Sequence, residues 1–345
     1  MNKNSYVNQS PKPNSRSQRL LSTGLLISVL LLIICLIISI TTGDTEISLE
    51  TVYKAFTAFD GSTKQLIVRT LRLPRSLIAM LVGASLAVAG SIMQGLTKNP
   101  LASPGILGIN AGAALAVVSG GFILGSSSAN LYPTLGFFGA IVTALTVYWL
   151  GSLGRGGLHP VKLTIAGAAI TALLSSLTTA ILILDRNRLE EIRFWLAGSV
   201  AGKDLNVFLQ VFPYLFIGLT IAFFLARQIT LLSLGEDVAT GLGVKTAWVK
   251  IGATICVVIL AGCSVSIAGA IGFIGLVVPH IARLLVGIDY RWIIPYAAIL
   301  GSILLLLADI AARLLLKPIE IPVGIMTSLI GGPFFIYLAL SKVKR

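Results

Sequence analysis

Charged side chains are scarce in this sequence. Only 11% of its 345 residues are Asp, Glu, Lys or Arg, whereas an ordinary soluble domain carries about 25%. Hydrophobic residues make up 56%, and the mean hydropathy is +0.94. This composition excludes a disordered chain, and it gives the net charge of +13 an explanation in membrane topology rather than in nucleic-acid binding. It predicts an all-α polytopic membrane protein.

Histidine and cysteine are also rare. The two histidines, His159 and His280, are far apart in the chain, and the three cysteines, Cys35, Cys256 and Cys263, all lie in apolar runs. No spacing of His, Cys, Asp and Glu resembles a metal site, and cysteines in such runs are typical of packing residues. We therefore expect no metal, no other cofactor and no catalytic residue in this chain, which is not expected to be an enzyme.

A nucleotide-binding loop is missing. The segment 198–204, GSVAGKD, has three residues between its glycines where a phosphate loop has four, and Asp204 stands where Ser or Thr would hold magnesium. The apolar runs also lack acids, except for Asp309, which lies four residues before Arg313 and can pair with it on one helix face. Secondary transporters usually place ionisable groups near the membrane midplane. Energy is therefore expected from a separate protein, and an ion-coupled secondary transporter is the alternative.

Long apolar runs are abundant. At about 20 residues per spanning helix they predict ten spans. The runs cover 20–41, 76–96, 105–124, 132–150, 163–184, 207–226, 247–267, 269–286, 292–313 and 323–340. An even number places both termini, including the tail 1–19, in the cytoplasm. In this orientation the inner side has 15 Lys and Arg residues and 3 acidic residues, and the outer side has 11 Lys and Arg residues and 10 acidic residues. This distribution agrees with the positive-inside rule.

Small residues recur at a spacing that favours close helix packing. The chain has 35 glycines, and small residues lie four apart at Gly83 and Ala87 and at Gly108 and Gly112. In lipid this spacing lets helix backbones approach closely, so we expect a compact bundle. On the outer side, the segment 189–196 has apolar residues at helical spacing and is predicted to be a short interfacial helix.

Two arginines lie at the outer entry of the second span. The charge bias would not place Arg72 and Arg75 there, and Pro74 between them is typical of a helix start. They are predicted to meet anions outside the membrane, with anchoring to phospholipid headgroups as the alternative. At the inner end of the same span, Asn99 and Pro100 break the helix and leave backbone groups that protein or a water-lined cavity must satisfy.

The inner connection contains a short amphipathic segment. Residues 232–244, LSLGEDVATGLGV, are rich in small residues and predict a short helix that is closed by Gly243. Such a helix forms a compact knob that can fill a cleft in a partner protein. An ordinary loop helix without a partner is the alternative.

These segments, together with three others, closely resemble the permease subunits of the ABC importers for iron-siderophores and cobalamin. The other three are 269–283, 307–313 and 320–324, and the resemblance covers about residues 20–341 as one permease domain. It implies ten spans per subunit, a second permease copy or a similar permease, two cytoplasmic ATPases that hydrolyse ATP, and an external substrate-binding protein. It also implies a place among the lipids of a bacterial cytoplasmic (inner) membrane and the import of an iron(III)-siderophore or related chelate by alternating access.

The resemblance implies three sets of functional residues. The outer arginines of the family, which pair with glutamates of the binding protein, are matched by Arg72, Arg75 and Arg313, so Arg313 is expected to be partly available. The coupling helix, which fits a groove of the ATPase, is matched by Gly235, Glu236, Ala239 and Gly243. Part of the inner gate is matched by Asn99 and Leu101. The loop 158–161 takes the other gate position but lacks the small hydroxyl residues expected there.

Overall fold

The computed structural model describes residues 15–43, 45–124, 131–153, 160–184, 192–316 and 319–343. These ranges contain helices, turns and bends, and no β-strand is found within them. The helices are α1 (Ser15–Thr41), α2 (Leu49–Thr57), α3 (Thr63–Ile67), α4 (Leu73–Thr97), α5 (Ile109–Leu124), α6 (Tyr132–Ser152), α7 (Pro160–Leu184), α8 (Leu205–Leu234), α9 (Glu236–Gly241), α10 (Thr246–Ala268), α11 (Ile274–Val286), α12 (Tyr290–Leu314) and α13 (Val323–Val343).

The long apolar helices confirm an all-α membrane fold. Seven helical stretches in the described ranges are long and apolar enough to cross a membrane, and three shorter apolar helices lie at Ile109–Ile123, Ile274–Val286 and Val323–Tyr337. Together they correspond to the ten predicted spans. Residues predicted for the outer side meet at one end of the bundle, and residues predicted for the inner side meet at the other.

Several helices differ in extent from the predicted runs. The second span is part of a continuous helix of 35 residues, Thr63–Thr97, which begins well before the expected start. Helix α8 continues to Leu234, beyond the apolar run, and α1 begins at Ser15, before the expected end of the tail. The run expected from 269 forms a helix only from Ile274, because Gly269 and Phe273 have positive φ angles of 70° and 65°.

Helix α4 lies at the centre of the bundle. It packs against α8, α10, α11 and α12, and most of its side chains are buried. Its small residues permit this, because a side chain on Gly83 would meet the backbone carbonyl of Gly301, and one on Gly90 would meet the backbone of Gly275. A side chain on Gly301 would in turn meet Ala87. The close approach predicted from Gly83 and Ala87 is therefore confirmed.

The second small-residue pair packs α5 against α6. A side chain on Gly112 would meet Thr143 and the carbonyl of Gly139 on α6. Gly108 has a φ of 69° and separates a 3₁₀ turn, Pro104–Leu107, from the start of α5. This turn replaces the first residues of the predicted third span, so the span bends at a glycine.

The described part of the predicted interfacial helix packs one face into the protein. The described part, 192–196, is helical, and residues 189–191 lie outside the described ranges. Ile192 is 0% exposed and Trp195 is 7% exposed. Ile192 and Trp195 therefore contribute to the core of the bundle, where they are removed from water. That the other face lies at the membrane surface stays a prediction.

We expect Gly83→Ala to destabilise the protein by about 1–3 kcal/mol, because the added methyl group forces two helix backbones apart. Gly252→Ala in α10 is the matched control, since its nearest neighbour would be the side chain of Leu225 at 3.8 Å. Thermal unfolding in detergent should show a lower midpoint for the first variant only. Equal midpoints would mean that the α4–α12 contact is not tight.

Candidate functional sites

The outer end holds a buried cluster of ionic side chains. Arg75 on α4 donates from Nε and Nη2 to Asp309 Oδ1 at 3.1 and 2.9 Å, and from Nη1 to Glu320 at 2.9 and 3.0 Å. Asp309 lies on α12 and is 0% exposed. A buried carboxylate is stable only when it is paired and hydrogen-bonded, and here two cations share it.

Arg313 is the second cation on Asp309. Its Nη2 lies 3.0 Å from Asp309 Oδ2, which confirms the pairing predicted from their spacing on one helix face. The same guanidinium donates from Nη1 to the carbonyls of Ser39 and Thr42 at 3.0 and 2.9 Å, and from Nη2 to Ser39 Oγ at 2.9 Å. Arg313 therefore fastens α12 to the end of α1.

Arg72 also serves the end of α1. Its Nη1 donates to the carbonyls of Ile40 and Thr41 at 3.0 and 2.7 Å, and its Nη2 donates to the carbonyl of Thr45. The last carbonyls of a helix have no partner within the helix, and basic side chains often supply one. Arg72 is 7% exposed, because this capping role holds it inside the fold.

Two of the outer arginines, Arg72 and Arg313, are buried within the single chain, although a docking role would require them to be exposed. Arg313 is 4% exposed and Arg72 is 7% exposed, so the expectation that Arg313 is partly available is wrong for this conformation. The physical reason is that both arginines satisfy buried carbonyls, which would otherwise be unpaired. Their role in docking a binding protein stays a prediction.

A fourth cation at the outer end was missed in the sequence. Lys203 and the three arginines line a cavity of about 340 Å³, together with Glu320. In the part of the chain that the structure describes, no residue accepts a hydrogen bond from its ammonium group, and burial lowers the pKa of Lys203. The only sequence feature that includes Lys203 is the segment GSVAGKD, which does not fit the pattern of a phosphate-binding loop.

The inner end holds the short helix α9. It follows Gly235 and ends before Gly243, whose φ is 81°. The amide of Gly243 donates to the carbonyl of Thr240 at 2.9 Å, and the amide of Val244 donates to that of Ala239 at 3.0 Å. This is the helix end that glycine favours, so the closure predicted at Gly243 is confirmed. Ala239 is 0% exposed and anchors the helix.

Glu236 is engaged within the chain. Both carboxylate oxygens accept hydrogen bonds from Lys250 Nζ, at 2.7 and 2.8 Å, and Thr246 Oγ1 lies 3.4 Å from one of them. The hydrogen bond from Lys250 holds the pKa of Glu236 below its ordinary value, against the opposing effect of burial. The sequence assigned Glu236 to contact with an ATPase, but its charge is directed towards α10.

The predicted gate residues form a turn after α4. Lys98 ends the helix in the left-handed conformation, with φ 51° and ψ 26°. Asn99 Oδ1 accepts a hydrogen bond from the amide of Leu101 at 3.0 Å, and the side chain of Leu101 is 40% exposed. The predicted helix break is confirmed, although it begins at Lys98. Residues 158 and 159 of the other gate position lie outside the described ranges.

The comparisons with known proteins agree with this architecture. Residues 31–341 match the model of the FecCD transport family. The chain belongs to the FecCD transport family. Because this is a transport family, the expectation that the chain is not an enzyme is confirmed. No three His, Cys, Asp or Glu side chains come together as a possible metal site in the ranges that the structure describes.

Two relatives and one solved structure show the extent of the similarity. The chain is 52% identical over 319 residues to the probable siderophore transport system permease protein YfiZ of Bacillus subtilis (strain 168), which covers 92% of this chain and 95% of the relative. It is 50% identical over 313 residues to the iron(3+)-hydroxamate import system permease protein FhuB of the same organism, covering 90% and 81%. A metal-chelate type ABC transporter in an inward-facing conformation matches with a TM-score of 0.82 and 31% identity, covering 93% of this chain and 99% of the other.

We expect Asp309→Asn to lower stability by about 3–5 kcal/mol, because it leaves Arg313 buried without a carboxylate. Thermal unfolding in detergent measures the effect. The control is Glu50→Gln, which removes an exposed carboxylate paired with Lys54 at 2.6 Å, and its unfolding midpoint should not change. An unchanged midpoint for Asp309→Asn would show that the cluster does not stabilise the outer end.

Proposed function

We propose that this chain is the permease subunit of an ATP-driven importer that brings an iron(III)-siderophore or related iron chelate across a bacterial cytoplasmic membrane. Membership of the FecCD transport family over residues 31–341 carries the proposal. The names of two relatives, one for a siderophore system and one for iron(3+)-hydroxamate import, support the substrate class. The multi-pass helical fold is consistent with a permease.

The proposed partners are a second permease, cytoplasmic ATPases and an external binding protein. Helix α9 is the proposed contact with the ATPase, since buried Ala239 anchors it while Val238 and Leu242 are 48% and 62% exposed. Exposed apolar side chains on a small rigid knob suit insertion into a cleft. ATP is bound and hydrolysed by the partner in this proposal, and this chain supplies no nucleotide site.

The proposed mechanism is alternating access. Closure of the ATPases displaces α9 on each permease, and the pathway between the two permeases opens to one side or the other. The walls of the pathway need little affinity for the chelate, because tight binding would slow its release. Specificity then resides in the binding protein.

An ion-coupled secondary transporter agrees less well with the distribution of charge. Among the spanning helices that the structure describes, Asp309 is the only acid, and it is paired with Arg75 and Arg313 near the outer end. Both of its carboxylate oxygens are engaged by guanidinium groups, so the described spanning helices offer no unpaired acid for coupling to an ion. This distribution supports an external supply of energy.

Reconstitution tests the proposed function. The chain, its ATPase and its binding protein are placed in proteoliposomes, and uptake of a radiolabelled iron(III)-hydroxamate is measured with and without ATP. We expect uptake only with ATP and with both partners, and no ATP hydrolysis by the purified chain alone. Uptake that continues without ATP and collapses with an ionophore would instead establish a secondary transporter.

Among the four cations that line the outer cavity, Lys203 is best placed to receive a carboxylate of the binding protein, because the three arginines already serve internal acceptors. We expect Lys203→Glu to weaken binding of that protein by about tenfold in detergent, with a loss of salt dependence. The control is Lys64→Glu, an exposed outer lysine away from the cavity. Equal affinity in the two variants would contradict the assignment.

A further inference from the structure

The inner end contains a cavity that joins the coupling helix to the gate turn. Its volume is about 610 Å³, and its walls come from the inner ends of α4, α6, α7, α8 and α10. The charged side chains that line it are Lys98, Glu236 and Lys250. One acid from α9 therefore shares a cavity with one lysine from α4 and one from α10.

The acid is paired on the α10 side. Lys250 donates to both oxygens of Glu236 at 2.7 and 2.8 Å, and the side chains of Lys250 and Glu236 are 18% and 51% exposed. The hydrogen bonds are charge-assisted, and solvent at the half-exposed carboxylate screens them in part. After the contribution of Lys250, the charge of Lys98 lowers the pKa of Glu236 further.

The lysine on the α4 side directly precedes the gate turn. Lys98 has the left-handed conformation that ends α4, which few residues other than glycine adopt. Its ammonium group has no hydrogen bond to any residue within the described ranges. Glu236 is the acid that lines the same cavity, so the two opposite charges attract each other across it. A displacement of Glu236 therefore changes the electrostatic attraction on Lys98, which directly precedes Asn99.

The backbone alone connects α9 weakly to its neighbours. Gly235 precedes the helix with a φ of 144°, and Gly243 follows it with a φ of 81°. Neither position would bring a side chain within 3.4 Å of another atom, so the helix is bracketed by two uncrowded glycines. Such glycines permit changes of φ and ψ, so the backbone at both ends of α9 can change direction while buried Ala239 keeps the helix packed against the bundle.

We infer that Glu236 is a positioning residue whose carboxylate makes α9 move together with the start of α10 and with the end of α4 that carries the gate turn. The inference rests on the proposed function, in which α9 receives the movement of the ATPase. The ion pair with Lys250 provides the connection that the flanking glycines do not. Glu236 thus faces inward as a link and is distinct from the surface that meets the ATPase.

The first test measures uptake and ATP hydrolysis in the same proteoliposomes. We expect Glu236→Gln to keep ATPase association and hydrolysis within about twofold of wild type while uptake per ATP falls about fivefold, the upper effect of losing one ion pair with a half-exposed carboxylate. Glu50→Gln is the matched control, since it also removes an exposed carboxylate that is paired with a lysine, Lys54 at 2.6 Å, but it lies outside α9. Its uptake per ATP should equal that of wild type.

Two further variants separate linkage from simple damage to the fold. The exchange Glu236→Lys with Lys250→Glu restores an ion pair and should recover most of the uptake per ATP. Lys98→Met should lower uptake per ATP in the wild-type background and have little further effect in the Glu236→Gln background, because both changes break one connection. Additive losses and no recovery in the exchange would overturn the inference.

A measurement on the purified chain does not depend on transport. Spin labels at Thr240 and Leu101 report the distance between α9 and the gate turn. We expect one narrow distance distribution in wild type and in Glu50→Gln, and a clearly broader one in Glu236→Gln. Equal distributions would overturn the inference, as would loss of ATPase association in Glu236→Gln, which would assign the residue to the partner. Failure of ATP-driven uptake in wild type would instead contradict the proposed function.

Discussion

The outer half of the molecule depends on the requirement that polar groups inside a membrane protein find partners within the protein. Asp309 is completely buried, and Arg75 and Arg313 neutralise it from two different helices. The remaining donors of Arg313 serve carbonyls at the end of α1, as do those of Arg72. One carboxylate and three arginines thereby join α1, α4 and α12, and water is not needed to satisfy any of these groups.

The helices are held more firmly at the outer end of the bundle than at the inner end. At the outer end, each guanidinium has several acceptors in fixed directions, so the helices are held at several points. At the inner end, α9 is bracketed by Gly235 and Gly243, and the buried side chain of Ala239 and one ion pair with α10 hold it. Between the two ends, glycine contacts along α4 hold the backbones together. Movement is therefore easier at the inner end.

Properties that depend on neighbouring residues were predictable from the sequence, and properties that depend on distant residues were not. Apolar runs predicted the spanning helices, and spacing predicted the Asp309–Arg313 pair and the end of α9 at Gly243. The partners of Arg72 are carbonyls 32 and 31 residues earlier, and carbonyls are present at every position, so no pattern identifies them. The direction of Glu236 depended on where α10 begins, which composition does not determine.

The pairing of Arg75 has a consequence for biogenesis. Asp309 and Glu320 follow Arg75 by 234 and 245 residues, so a ribosome that adds 5–20 residues per second completes them about 10–50 seconds later. During that interval the cation of α4 lies near a membrane boundary without either carboxylate. Helix α4 can pack against α8 and α10 before then, but its contact with α12 and the ionic cluster at the outer end can form only after nearly the whole chain has been synthesised.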